Sequence, residues 1–156
     1  MRDKRFVAEH RGGVLTITNH RKLMRWAIDC LEHILTLVDI QIDIRLLDVL
    51  SLAKEWELGN IQTGKAMKAS LAAHAVAREL TDPVHVFIAR AIGQAVATAH
   101  MADHCLGGAI YGLKALKAAG RPLDEEKEWQ NNRLRLSVPV ELAELVISTR
   151  NAKAKF

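Results

Sequence analysis

Little in this chain of 156 residues supplies the usual handles of function. Aromatic residues make up 4% of it, and the two cysteines, Cys30 and Cys105, form no CxxC or other ligand spacing. So few aromatics beside abundant alanine exclude a β-sandwich and favour closely packed helices. Two isolated thiols inside apolar helical patterns exclude a disulfide framework and read as reduced core residues of a cytoplasmic protein. No GxSxG, Walker loop, Rossmann fingerprint or HExxH occurs, so serine hydrolysis, phosphoryl transfer and dinucleotide binding have no support. The N-terminus lacks an apolar h-region, which excludes a secretory signal. The net charge of +4 comes from basic residues scattered along the chain, without the stripe that a nucleic-acid footprint requires.

Charge is also missing from one long run. Between Ala91 and Leu113 the only formal charge is Asp103, flanked by His100 and His104 among Ala, Gly, Val, Ile and Leu. The run has nearly the length of a membrane span, but two His, Asp103, Gln94 and four glycines argue against one. It is instead a buried helical stretch, and its polar groups need partners because an unpaired buried polar group is costly.

At this length the chain reads as a single all-α domain over residues 1–156, a compact bundle of about six or seven helices with Ala/Gly-rich central helices. Residues 1–17 form an N-terminal arm with a turn at Gly12-Gly13. Thr18 caps a first helix to Val38, with Leu23, Met24, Ala27, Leu31, Ile34 and Val38 on its apolar face. A second helix, 43–58, buries Leu46, Leu47, Val49, Leu50 and Ala53 and stops at Gly59. A third runs from about residue 60 to Leu80 with Met67, Leu71, His74 and Arg78 along one stripe. Asp82-Pro83 opens a fourth, and continuous helix from there to Gly120 would be too long for so small a domain. A break is therefore expected at 97–100, with Thr98 capping a fifth helix to residue 119. Gly108 and Gly112 let another helix cross it closely. A sixth helix, 123–136, places Asp124, Glu125 and Glu126 at its start and Arg133 and Arg135 at its end, matching the helix dipole, with Trp129 as anchor. A seventh ends near Arg150, and residues 151–156 form a frayed basic tail.

The chemistry-bearing candidates are Asp29, His33, His74, Arg78, His100, Asp103, His104 and Tyr111, read as a polar pocket or network. Asp29 and His33 stand four apart, where a carboxylate can fix an imidazole tautomer. His100 and His104 have the HxxxH spacing that sets two imidazoles on one helix face, and His74 would be the third ligand of a divalent transition metal such as zinc. Such a centre would make the chain a metal-binding bundle or a metal-dependent hydrolase. In the other arrangement Asp103 or Asp29 accepts from imidazole and Arg78, Tyr111 ends the hydrogen-bond chain, and there is no cofactor and no catalytic residue.

The same residues carry a family likeness. His10-Arg11-Gly12-Gly13, Trp26-Ala27 with Asp29-Cys30 and Glu32-His33, Trp56 with Gly59, Ala72-Ala73-His74-Ala75 with Ala77-Arg78, and above all the stretch from Gly93 to His104 are in question. Together they resemble the all-helical immunity proteins of bacterial polymorphic toxin systems, the immunity protein five-like group, over residues 5–130. The resemblance implies a cytoplasmic protein that binds and neutralises a cognate protein toxin, with neither nucleic acid nor membrane as partner. It assigns no catalytic residues. Cys105 stands where a small residue such as Ala is expected.

Overall fold

Thr16 begins the first helix by accepting the Asn19 N–H with its side chain, and the apolar stripe that follows decides which face turns inward. Leu23, Met24, Ala27, Leu31 and Ile34 are fully buried, as their spacing requires. Each fully buried Leu or Ile of such a stripe contributes about 1.5–3 kcal/mol. The computed structural model describes residues 2–156. Seven α-helices follow one another: α1 (Ile17–Leu37), α2 (Ile44–Glu57), α3 (Thr63–Glu79), α4 (Pro83–Ala97), α5 (His104–Ala118), α6 (Asp124–Arg135) and α7 (Val140–Lys153). Among the described residues there is no strand, only an isolated bridge between Ala8 and Leu15. The fold is all-α, as the composition predicts.

The hairpin of α4 and α5 is the most extensive helix pair, with α3 packed on α4 and α1 on α5. Small residues make this closeness possible. A methyl group on Gly108 would lie 3.3 Å from the Ala27 Cβ, and one on Gly112 would lie 3.3 Å from Ile34, so α1 is the helix that crosses here. One apolar cluster joins α1 to α4 with the end of α5. A second gathers Phe6, Leu15, Trp26, Cys30, Cys105 and residues of α7. Both thiols are fully buried in that second cluster, and burial pushes their pKa values up.

Several boundaries differ from the sequence expectation. Thr16, not Thr18, caps α1. The break between α4 and α5 is longer and later than 97–100: Thr98 closes α4, residues 99–103 are turns, and α5 begins at His104. Turns there let the backbone amides of His100, His104 and Cys105 bond to carbonyls three residues back, so no side-chain cap is needed. In the N-terminal segment before α1, Phe6 and Leu15 are buried, at 2% and 3% exposure. Helix α7 continues through residues 151–153, three residues beyond the expected end. Leu47, Met67 and Leu71 face outward, because α2 and α3 turn Leu46, Val49, Leu50 and Ala66, Ala69, Ala73, Val76 to the core instead. Trp129 is only half-buried; Glu126, Gln130 and Leu134 are the buried residues of α6.

Candidate functional site

Six of the eight candidates separate into two polar sets. The first surrounds the break between α4 and α5. His74 on α3 lies against Gly93 of α4, and its Nδ1 accepts from Arg90 Nη1 at 2.9 Å. A guanidinium can only donate, so the His74 proton sits on Nε2. His104 Nδ1 donates to Gln94 Oε1 at 2.8 Å, so its proton sits on Nδ1, the opposite tautomer to His74. His100 sits in the turn with its ring centroid 5.3 Å from that of His104. Asp103 Oδ1 lies 3.3 Å from Arg2 Nε of the N-terminal segment. Beneath them His20 of α1, only 3% exposed, donates from Nε2 to the Thr98 carbonyl and tilts against Trp56.

Four imidazoles here, His20, His74, His100 and His104, have their pKa values lowered from 6.5. Burial is the largest cause for each, and nearby positive charge from Arg2 or Arg90 adds to it. The set brings together one buried imidazole, His20, and three half-buried ones, all disfavoured as cations. Two buried ring nitrogens in it, His20 Nδ1 and His100 Nδ1, lack a hydrogen-bond partner among the described residues, while Arg2 Nε and Asp103 Oδ1 meet as an ion pair without a hydrogen bond.

The second set lies between α1 and α6. Asp29 and His33, expected to pair with each other, do not. Asp29 meets Arg133 Nε at 3.1 Å and Arg25 Nη1 at 3.8 Å. His33 Nδ1 donates to both oxygens of Glu126 at 2.8 Å, and its ring stacks on Trp129 at 3.9 Å with an interplanar angle of 1°. The partners come from α6, so they override the local four-residue spacing. Glu126 is 3% exposed, and this pair lines a cleft of about 390 Å³ with Leu37, Arg121 and Pro122.

Arg78 and Tyr111 belong to neither set. Arg78 is exposed, and Arg90, one helix over, takes the role expected of it on His74. Tyr111 packs 6.3 Å from Phe87 with the Lys114 ammonium over its ring, and its hydroxyl ends no hydrogen-bond chain among the described residues. Among the described residues, no three His, Cys, Asp or Glu side chains converge to hold a metal ion. His74 is committed to Arg90, and His100 lies in a turn, so the helical face that HxxxH presupposes does not form. Sequence reasoning missed Arg2, His20, Arg90, Gln94 and Glu126. Only Glu126 had a local signal, the four-residue step to Gln130 on the same face of α6.

An all-helical fold whose polar side chains meet in contacts between helices defines a class, the small helical bundle. Within that class the assignment is direct: the model of the family described as "Imm-5 like putative immunity protein" matches residues 13–136, and the chain belongs to that family. No curated protein and no solved structure matches it.

Proposed function

We propose that this protein binds a cognate protein toxin in the cytoplasm and neutralises it by covering the toxin's working surface. The family match over residues 13–136 carries this reading. No helix among the described residues is long and apolar enough to cross a membrane.

A groove of about 640 Å³ supports it by offering a surface for a protein partner. Ile40, Ile42, Leu46, Leu80 and Ile88 line its floor, and Ile44 and Leu47 stand on its rim at 68% and 43% exposure. Neighbouring exposed apolar residues of this kind mark interaction sites more often than they occur by chance. The rim is rigid. Asp43 caps α2 and accepts from Arg45, and Arg45 reaches across to Glu79 of α3 at 2.7 Å. A preformed rim lowers the ordering cost of association.

The test is co-expression with the toxin encoded beside it. The wild-type chain is expected to co-purify with the toxin and restore growth. The double substitution Ile44→Asp, Leu47→Asp is expected to weaken binding by about 100-fold while leaving the circular-dichroism melt unchanged. A toxin that is neither bound nor inhibited overturns the function; full affinity in the double variant moves the interface elsewhere.

A further inference from the structure

Helices α6 and α7 enclose a positive charge that the protein does not neutralise. Arg150 is 2% exposed, and its guanidinium donates to two neutral oxygens, Gln130 Oε1 at 3.0 Å and Asn151 Oδ1 at 3.0 Å. Among the described residues no carboxylate lies within ion-pair distance of it. Burying a cation without a counter-charge is costly, and arginine does not escape by losing its proton. Glu128 acts on it only through space, with neither a hydrogen bond nor an ion-pair contact among the described residues. Two of the five guanidinium N–H donors are accounted for, which leaves three.

Arg150 lines a cavity of about 310 Å³ whose other walls are Lys127, Asn131, Asn151, Ala154 and Phe156. The Lys127 ammonium sits 4.9 Å from the centre of the Phe156 ring and, among the described residues, has no carboxylate partner. Asn151 spends its oxygen on Arg150, so its NH2 group is free to donate. Asn131 Oδ1 is buried without a partner. The two orientations of an amide are nearly isosteric, and the reversed one presents a donor at that position.

We propose that this cavity binds a phosphate-class oxyanion, held by Arg150 and Lys127 with the amides of Asn131 and Asn151. Two cations match the charge of about −1.5 to −2 that a phosphate monoester carries at neutral pH, whereas a carboxylate leaves one cation unpaired. Guanidinium donors fit phosphate oxygens in pairs. The volume is at the lower end for small-ligand sites. Lys127 and Asn131 lie inside the family-matched region and Arg150, Asn151 and Phe156 beyond it, so the site straddles the edge of that region.

Titration of the full chain with inorganic phosphate, at ionic strength held constant with chloride, tests the site. The expected result is a saturable rise in melting temperature with shifts of the Asn131, Asn151 and Arg150 side-chain resonances. Lys127→Ala is expected to weaken binding about tenfold without changing the melt in the absence of phosphate. Arg150→Gln is expected to abolish binding; if that variant does not fold, wild type and Lys127→Ala still decide. A parallel titration with phenyl phosphate identifies the source: tighter binding than inorganic phosphate points to an ester, weaker to the free ion. No saturable response by about 20 mM phosphate, an equal response in Lys127→Ala, or an equal response to acetate overturns the assignment.

Discussion

Gly93 shows how narrowly single residues are specified in the central hairpin. A Cβ there would lie 2.8 Å from two ring atoms of His74, and Arg90 holds that ring in place. Gly93→Ala is expected to cost about 1–3 kcal/mol in urea denaturation. A loss below about 0.5 kcal/mol would show that the imidazole swings clear. Across the molecule, the buried Glu126 side chain has His33 as its one hydrogen-bond partner among the described residues. His33→Ala is therefore expected to destabilise by about 3 kcal/mol, and the double variant His33→Ala, Glu126→Gln to recover part of it, as read from denaturation midpoints. The sequence shows that Asp29 and His33 are placed to matter but not what they touch. Their spacing points to each other, while the Glu126 partner of His33 lies 93 residues further on, in a helix whose polar sequence DEEKEWQNNRLR gives little sign of an inward face.

Elements were more legible than contacts. Helical periodicity, the Asp82-Pro83 start and the Gly59 and Gly120 stops delimit most of the seven helices, because these signals are local. The break between α4 and α5 is legible only in existence, since an alanine-rich stretch has no residue that strongly favours stopping at one place over another. Burial of the N-terminal segment was invisible for a different reason: the surface that receives Phe6 is made by α1, α5 and α7 together. Phe6→Ala is expected to cost about 3–5 kcal/mol if that surface cannot collapse. Hydrogen exchange is expected to show protection lost first around residues 98–104, where this segment lies on the break; uniform loss across all helices would contradict that order.

For the molecule as a whole, the row of lowered imidazoles sets a pH limit. His20, His74, His100 and His104 take up protons less readily folded than unfolded, where the usual value is 6.5. Below that value the unfolded chain binds more protons, so their contribution is complete above it and is lost as pH falls toward the folded values. Arg2, His10, Arg11, Arg78, Arg90 and Lys153 add unfavourable positive charge around these rings, and two neighbours favour protonation, the Thr98 carbonyl at His20 and Asp103 at His104. The melting temperature is expected to fall steadily from about pH 7 to about pH 5, and a flat profile would show that these rings protonate without penalty. Cys30 and Cys105 lend the same molecule a clock. Each thiol is sealed from reagents and held protonated by burial, so alkylation requires an opening event, and its rate counts those events. If the bundle opens only as a unit, both sulfurs will be labelled at one common rate. If the start of α5 opens by itself, Cys105 will be labelled first, and the difference between the two rates will measure how independent that end is.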